Sequence, residues 1–380
     1  MARLCLAYAL LCALIGLGWQ FATVQRNYGG NWTALFCVGA NTRLPDLPQE
    51  NIYRFANSTG FDGQFYYLIA HDPSPTGSMA SNIDTPDLRY ERILIPLLAY
   101  TAALGRPAAI AAAFITINLI FLFLGSWWLG RAATFYGGSA AWGLAFLLVP
   151  AVPISLDRMT VDLALTALAA GAFYFYLSNQ TKKMLLALAL ACLTRDTGVV
   201  IVAGFAVNFL MRRQWHKAFA TMAAAVPFAL WFGYVMAVHP LQLPPWLPTH
   251  PFRWTWGFLA DPKPYPFSPA INAAVRLLDL AAMAGLVLAM AVAFSDAFGK
   301  ALNPARLTNL LFAGVFVYLL ALDEWTHVYD FGRIASPLAM NLLLYGAVSG
   351  RLWMLAPALL MSLRVAAQLA PQAIGIISHH

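Results

Sequence analysis

The chain has 380 residues, of which 61% are hydrophobic and 10% are charged, whereas a soluble domain carries roughly 25% charged residues. With a mean hydropathy of +0.66, this composition excludes a soluble protein and predicts an all-α polytopic membrane protein. The net charge of +7 does not indicate nucleic acid as a partner, because the basic residues are scattered at the ends of apolar runs and form no block.

The cysteines also exclude some classes of site. Cys5, Cys12, Cys37 and Cys192 show no CxxC spacing, and three of them lie in apolar runs. The sequence therefore predicts neither a disulfide framework nor a zinc site.

The first apolar run, residues 4–24, is predicted to be an uncleaved membrane helix, with a signal peptide beginning at Arg3 as the alternative. A polar segment follows, and it forms most of a first loop at residues 25–106. Its polar part carries seven of the sixteen acids of the chain, five arginines and no lysine. That balance favours a loop outside the cytoplasm, since Lys and Arg are enriched on the inside.

Two short helices with aromatic faces are predicted inside this loop, at residues 51–56 and 62–70. Pro and Gly at residues 72–77 end the second helix. The apolar stretch 93–105 is too short for a comfortable span. We therefore expect it to lie at the outer surface as a helix, ended by Gly105, Arg106 and Pro107.

The remaining apolar runs predict further spans, which bring the total to about eleven and place the whole chain, 1–380, in a single membrane domain. They lie at about 108–129, 140–154, 160–177, 184–193, 198–211, 218–238, 273–294, 307–322, 335–348 and 353–369. With the N-terminus inside, this count puts on the cytoplasmic face Arg3, Arg131, Lys182, Lys183, Arg212, Arg213, Lys217, Lys300, Arg306 and Arg351, as the positive-inside rule requires. A second outer loop, 239–272, is rich in Pro, Trp and Phe.

Charged residues converge on the predicted outer face from several loops, and ionisable groups near membrane depth are candidates for function. The residues are Asp62 in the first loop, Asp157 and Asp162 between two spans, Arg195 in a helical hairpin, and Arg333 beside His327 and Tyr329. A lone histidine such as His327 is usually a polar contact, so no metal ligand is expected there.

Each of these residues has a structural alternative. Asp62 begins a predicted helix and could cap it through the amides of Gln64 or Phe65. Among the aromatic residues Phe61, Phe65 and Tyr66, it would instead be partly desolvated. Desolvation would raise its pKa and make it a better general base.

The other acids and arginines could form local ion pairs at helix ends. Arg195 could also extend to the lipid headgroups or clamp a phosphate through its guanidinium fork. In the second loop, the aromatic run around Arg253 is typical of an interfacial aromatic belt. The alternative is that this loop covers a lipid-linked substrate, with Arg253 or Lys263 near its phosphate.

Taken together, these features resemble the GT-C superfamily of integral membrane glycosyltransferases. The resemblance is sharpest over residues 61–73 (FDGQFYYLIAHDP), 89–97 (RYERILIPL) and 329–337, which look like bacterial GT-C-like proteins associated with cell-surface polysaccharides. In that superfamily the first extracytoplasmic loop carries an essential acid, a role that the resemblance gives to Asp62. A second acid often follows the third span, which points to Asp157 or Asp162, and a basic outer hairpin matches residues 193–198.

The sequence departs from the superfamily pattern in one respect that concerns a metal. Gln64 stands where many members have a second acid, which puts a bound metal in doubt, so no metal ligands are assigned and a divalent cation stays an open alternative. The chain also lacks a soluble C-terminal domain, so an oligosaccharyltransferase role is not expected.

The resemblance implies inverting transfer of a sugar from a polyprenyl-phosphate donor to a glycan, lipid or protein acceptor outside the cytoplasm. Asp62 would be the general base, with Asp157 or Asp162 as further catalytic acids. The substrate-binding residues would be Arg195, Arg333, Arg253, Lys263, Tyr66, Tyr329 and His327. The expected location is the bacterial inner membrane with the site facing outward. A transporter or flippase, or an inactive assembly factor for surface polysaccharide, is the alternative.

Overall fold

The structure is a computed structural model, and it describes residues 1–42, 45, 47, 50–241, 253–260, 267–297, 303–319 and 332–378. In the described part of the chain nearly all regular structure is helical. The α-helices are α1 (Ala2–Asn27), α2 (Gly63–His71), α3 (Pro86–Tyr90), α4 (Leu94–Ala102), α5 (Pro107–Phe135), α6 (Ala151–Arg158), α7 (Asp162–Leu177), α8 (Thr181–Thr194), α9 (Gly198–Met211), α10 (Trp215–Ala223), α11 (Val226–Val238), α12 (Arg253–Ala260), α13 (Pro269–Ala297), α14 (Pro304–Leu319), α15 (Ser336–Ser349), α16 (Ala356–Gln368) and α17 (Ala370–Ser378). Short 3₁₀ helices occupy Trp32–Phe36, Ala80–Asn82, Ala140–Leu148 and Leu352–Leu355.

Length and composition identify the helices that can cross a membrane. Within the described residues, four qualify: Ala2–Asn27, Pro107–Phe135, Trp215–Val238 and Pro269–Ser295. Two bent pairs raise the number to six if each is one span: Ala140–Leu148 with Ala151–Arg158, at 61°, and Leu352–Gln368 with Ala370–Ser378, at 48°. The protein is therefore an all-α integral membrane protein, and the count of about eleven spans stays a prediction.

Helix α1 shows how these spans pack. It buries a stripe of small and polar residues, including Cys5, Ala9, Cys12 and Gly16, against α5. A Cβ atom at Gly16 would lie 2.6 Å from the Leu122 side chain, so the two backbones approach closely, as small residues allow in membrane helices. The leucines on the opposite faces of α1 are exposed, as lipid-facing side chains would be.

The first loop has more structure than the sequence suggests. The prediction of a helix at 51–56 is wrong, because Arg54–Phe55 forms a strand, β2, that pairs in parallel with β1 (Val38–Gly39). Two-residue pairing across a long loop has no local signal that could separate it from a short helix. The helix predicted at 62–70 is confirmed as α2.

Helix α4 lies where the sequence predicts a surface helix, at residues 93–105. Its nine residues extend about 14 Å at 1.5 Å per residue, well short of a bilayer core of about 30 Å. It packs on α2 and α5, while Leu97, Leu98 and Leu104 remain exposed. A short helix with one exposed apolar side suits the membrane interface.

Basic residues lie at one end of the helices, and the first loop lies at the other. At one end, Arg131, Lys183 and Lys217 lie over the rings of Tyr174, Phe175 and Phe209, at 5.8, 5.9 and 5.8 Å. This end holds the start of α8 and the end of α9, whereas the turn that joins α8 to α9 lies at the other end. The opposite end carries the first loop, which α11 anchors because Trp231 donates a hydrogen bond to the Tyr90 carbonyl at 2.7 Å.

Candidate active site

Asp62 lies immediately before α2, and its position is fixed by close backbone packing. A Cβ atom at Gly63 would collide with the carbonyl oxygen of Arg158, so glycine lets the start of α2 rest against the end of α6. The carboxylate of Asp62 makes no capping hydrogen bond to α2. The capping alternative for Asp62 is therefore wrong, because its side chain points to other partners.

Those partners are two buried arginines from distant parts of the chain. One carboxylate oxygen of Asp62 lies 3.0 Å from Nη1 of Arg89, at the end of α3. The other oxygen lies 2.6 Å from Nη1 of Arg333, just before α15. The side chain of Asp62 is 15% exposed and the two arginine side chains are 10% and 8% exposed, so the carboxylate is held between two largely desolvated guanidinium groups.

The ion pairs continue on both sides of Asp62. Arg89 donates two hydrogen bonds to Asp84, at 3.0 and 3.1 Å, in a bidentate pair. Arg333 approaches Asp162 at 3.4 Å. Asp162 is also paired with Arg195, whose Nε lies 3.6 Å from Asp196. Aromatic rings support the arginines, since Arg89 lies 5.1 Å from the Phe65 ring centroid and Arg333 5.3 Å from that of Phe61.

We call this set the ion chain: Asp84, Arg89, Asp62, Arg333, Asp162, Arg195 and Asp196. Each member lies in a loop or within a few residues of a helix end. The contacts therefore run across one end of the helices rather than along them. Such alternation of signs lets several buried charges share compensation, which a single buried charge could not obtain.

A second group of side chains lies beside the ion chain. Arg92 donates a hydrogen bond to the hydroxyl of Tyr66 at 3.0 Å, and its Nε lies 3.6 Å from Glu91. Burial first, and then the nearby charge of Asp196, raise the pKa of Glu91 to about 8. Glu91 is therefore largely protonated at pH 7, so it does not cancel the positive charge of Arg92.

The electrostatics of Asp62 differ from the expectation of a raised pKa. Burial alone would raise the pKa of the carboxyl, but the charges of Arg333, Arg89 and Arg92 outweigh burial and hold it well below its ordinary range. An opposite charge within about 4–6 Å favours the ionised form. Asp62 is thus a carboxylate at every physiological pH, but a weak base while both arginines hold it.

Asp62 and Arg89 form part of the wall of an open cavity of about 450 Å³. Its other lining residues are Thr42, Thr59, Gly60, Phe61, Gln64, Phe65, Ser81, Asn82, Ile83 and Asp84. This volume lies within the range of about 300–1,000 Å³ usual for small-molecule sites. Arg333, Asp162 and Arg195 lie behind this wall, along the ion chain. We call this space the Asp62 cavity.

The donor set around Asp62 does not fit a divalent cation. Within the part of the chain that the structure describes, no three His, Cys, Asp or Glu side chains converge as metal ligands. Gln64 is used structurally, since its oxygen accepts from the Gly39 amide at 3.2 Å and its nitrogen donates to the Thr59 carbonyl at 2.8 Å. Hard cations need several free oxygen ligands, whereas both oxygens of Asp62 face arginines.

The structure brings together five of the residues selected from the sequence: Asp62, Asp162, Arg195, Arg333 and Tyr66. It does not bring Asp157 to them. The carboxylate of Asp157 lies 3.2 Å from Nε of Arg158 and accepts a hydrogen bond from Gln372 at 3.2 Å, in a separate cluster. Lys263, His327 and Tyr329 lie outside the described residues, as does the side chain of Arg253.

Two arginines of the site, Arg89 and Arg92, were not selected as site residues from the sequence. In a polar loop they look like solvated surface residues, although both lie in the RYERILIPL segment that carries the family resemblance. The sequence does hold a signal for their burial, because both lie just before the apolar helix α4. Packing beside that helix limits their access to water.

No protein-family model matches this chain, and no curated protein matches it. Among solved structures, the chain is similar to the crystal structure of ArnT from Cupriavidus metallidurans in the apo state, with 14% sequence identity over 97% of this chain and 77% of that chain, and a TM-score of 0.42. A TM-score of this size is too low to carry an argument about function. The case for function therefore depends on the side chains of the site.

Proposed function

We propose that this protein is an inverting glycosyltransferase that moves a sugar from a polyprenyl-phosphate donor to an acceptor outside the cytoplasm. The observation that carries the proposal is Asp62, a carboxylate in the wall of an open cavity, held by the buried arginines Arg89 and Arg333. A carboxylate can take a proton from an acceptor hydroxyl, and arginines can hold a phosphate leaving group.

In this proposal the phosphate of the donor binds beside Asp62. Arg89 faces the Asp62 cavity, Arg333 lies behind Asp62, and Arg92 and Arg195 add positive charge nearby. Guanidinium groups match phosphate oxygens in a bidentate fork. The isoprenoid tail would leave the site along the apolar surface of α4, where Leu97 and Leu98 are exposed. Arg253 and Lys263 stay predictions as further phosphate contacts.

The reaction then needs one displacement. The acceptor oxygen forms a bond to the anomeric carbon while the bond from that carbon to the phosphate oxygen breaks, with inversion. Asp62 takes the acceptor proton, and the lipid phosphate leaves with the electron pair of the broken bond. Arginines placed where negative charge grows on the leaving group stabilise the transition state.

Donor binding also converts Asp62 into an effective base. In the structure, Arg89 and Arg333 keep the pKa of Asp62 low. A phosphate in the Asp62 cavity that accepts hydrogen bonds from Arg89 competes with the carboxylate and adds negative charge beside it. Both effects raise the proton affinity of Asp62, so the base becomes stronger only when the donor is in place.

The direction of the ion chain supports an enzyme over a transporter. A transport pathway through the membrane would place ionisable groups along the helices, towards both faces. The ion chain instead crosses one end of the helices, from the first loop through the start of α7 to the turn between α8 and α9. We place the site on the outer face of a bacterial inner membrane, in keeping with the positive-inside assignment.

The test is sugar transfer by purified protein in nanodiscs from a panel of radiolabelled polyprenyl-phosphate sugars, supplied with extracts of surface glycans, lipids and peptides as acceptors. Wild type should transfer one sugar, Asp62→Asn should not, and Asp87→Asn should behave like wild type. Asp87 lies in the same loop and carries the same charge, but it does not line the cavity. Equal transfer by Asp62→Asn would contradict the assignment of the base, and no transfer from any donor would contradict the proposed reaction.

A further inference from the structure

A second open cavity, of about 490 Å³, lies beside the Asp62 cavity. We call it the amide cavity, because its lining includes three side-chain amides. Its lining includes Asn27, Tyr28, Phe55, Ser58, Gln368 and Gln372. The residues come from the first loop, from the outer ends of α1, α6 and α16, and from α17. Its volume also suits a small-molecule site.

The two cavities share a wall. Ser58 lines the amide cavity, while the next two residues, Thr59 and Gly60, line the Asp62 cavity. This wall is held tightly, because a Cβ atom at Gly39 would collide with the backbone of residues 58–60. Gln64 fixes it further through the Thr59 carbonyl. A molecule that extends past residues 58–60 could therefore occupy both cavities.

One side of the amide cavity is aromatic. The rings of Tyr28, Tyr53 and Phe55 pack together with centroids 5.1–5.5 Å apart, and Tyr28 and Phe55 face the cavity with part of their surface exposed. A rigid aromatic cluster offers a flat apolar face with a hydroxyl at its edge. The C–H face of a pyranose ring is the natural complement of such a surface.

The other side is polar and contains a buried hydrogen-bond acceptor. Gln372 is 7% exposed, its nitrogen donates to Asp157 at 3.2 Å, and its side-chain oxygen has no hydrogen-bond partner among the described residues. A buried acceptor without a donor is unfavourable. Asn27 and Gln368 also line the cavity, and side-chain amides can both donate to and accept from sugar hydroxyls.

Charge in the amide cavity is already compensated. Arg158 lies 3.2 Å from Asp157 and donates to the Cys37 sulfur at 2.9 Å. An ion pair inside the wall leaves little attraction for an anionic headgroup, so a neutral polar ligand fits better than a phosphate.

We propose that the amide cavity binds neutral sugar units of the acceptor, so that the acceptor is a glycan rather than a protein or a lipid. This inference rests on the proposed function. A glycan anchored against Tyr28 and Phe55 would extend across residues 58–60 and present one hydroxyl to Asp62. The amide cavity would then set acceptor specificity, while the Asp62 cavity holds the donor phosphate.

The experiment measures binding without donor, so that its outcome is separate from turnover. Full-length protein in nanodiscs is titrated with fluorescently tagged hexasaccharides of glucose, mannose, galactose, rhamnose and N-acetylglucosamine, with a tagged hexapeptide and phosphatidylglycerol vesicles as rivals. The variants are Phe55→Leu, which keeps apolar volume but loses the ring, Phe55→Tyr, which keeps the ring, and Asp87→Asn, a control at a residue that lines neither cavity.

We expect at least one hexasaccharide to bind wild type. Phe55→Leu should weaken binding about tenfold, the upper range for one aromatic contact, while Phe55→Tyr and Asp87→Asn bind like wild type. The inference would be overturned if no hexasaccharide binds, or if Phe55→Leu binds hexasaccharide as tightly as wild type. It would also be overturned if the peptide or the lipid binds and Phe55→Leu abolishes that binding. Transfer to a peptide or lipid with no glycan binding would overturn the inference about the acceptor and leave the proposed function intact. Glycan binding without transfer from any donor would support the inference about the cavity and contradict the proposed function.

Discussion

Asp62 is a carboxylate whose two oxygens face two guanidinium groups. Its proton affinity depends on how strongly these groups pair with it. Arg89 and Arg333 stabilise the charge of Asp62, while the buried setting of all three side chains makes loss of any one partner costly. In the proposed reaction, a phosphate that enters the site would take over the pairing with Arg89. The resting ion pairs would thus keep the arginines oriented before the donor arrives.

Glu91 gives a prediction about pH. Its pKa in the folded protein, about 8, exceeds the value of about 4.3 in an unfolded chain. Between these values the folded state binds more protons than the unfolded state, so Glu91 lowers the free energy of unfolding as pH rises from about 4.3 to 8. Because the variant Glu91→Gln has no ionisable group at this position, its free energy of unfolding lacks this decrease with pH.

The measurement is the midpoint of thermal unfolding in nanodiscs from pH 5 to pH 9. The midpoint of Glu91→Gln minus that of wild type should increase with pH and level off above about pH 8. Asp87→Gln, which removes an acid from the same loop, is measured in parallel. A difference for Glu91→Gln that does not vary with pH would show that the carboxyl is not buried as described.

Sequence reasoning found Asp62, Asp162, Arg195 and Arg333 for a physical reason. Each is an ionisable residue at the edge of an apolar segment, where its cost must be compensated. The same reasoning could not find which charges pair, because Arg89 and Arg333 are 244 residues apart in the chain. For the same reason it could not see that Asp157 and Asp162, five residues apart, belong to different clusters.

At the scale of elements, the site depends on contact between α2 and α6. Gly63 begins α2 with its Cα against the carbonyl of Arg158, and this contact places Asp62 one residue before. The periodicity of residues 62–70 predicted α2, because aromatic and apolar residues fill a local helical face. Its docking on α6, like the pairing of β1 with β2, depends on long-range backbone contact that no local pattern encodes.

The variant Gly63→Ala tests this contact. Its methyl group cannot fit without moving α2, and overpacking of this kind costs typically about 1–3 kcal/mol. We expect a lower unfolding midpoint and a large loss of sugar transfer, since Asp62 moves with α2. Gly18→Ala is the matched control, because that helical glycine has no atom within 4 Å of its Cβ position, and it should match wild type in both assays. Full activity of Gly63→Ala would mean that the position of Asp62 does not depend on this contact.

At the scale of the whole molecule, a second buried ion pair lies away from the site. Nε of Arg364 in α16 lies 2.5 Å from the carboxylate of Asp279 in α13, and both side chains are almost fully buried. Removal of one partner from such a pair costs about 3–5 kcal/mol, whereas replacement of both by apolar residues is often neutral.

We therefore expect Arg364→Met to lower the unfolding midpoint strongly and Asp279→Leu with Arg364→Met to recover most of the loss. Transfer by the folded fraction of the double variant should equal that of wild type, because neither residue belongs to the ion chain. The experiment is a double-mutant cycle by thermal unfolding in nanodiscs. Additive losses would show that the pair does not hold α13 and α16 together.

The most direct test of the central claim is the affinity for polyprenyl phosphate without a sugar, measured by titration of folded protein in nanodiscs. If phosphate and Asp62 compete for Arg89, Asp62→Asn should bind the lipid phosphate about tenfold more tightly than wild type, and Arg89→Gln about tenfold more weakly. These changes follow from hydrogen bonds to charged groups worth about 1.5–3 kcal/mol. Both variants should lack transfer. Equal or weaker binding by folded Asp62→Asn would contradict the account, because the carboxylate and the phosphate would then not share Arg89.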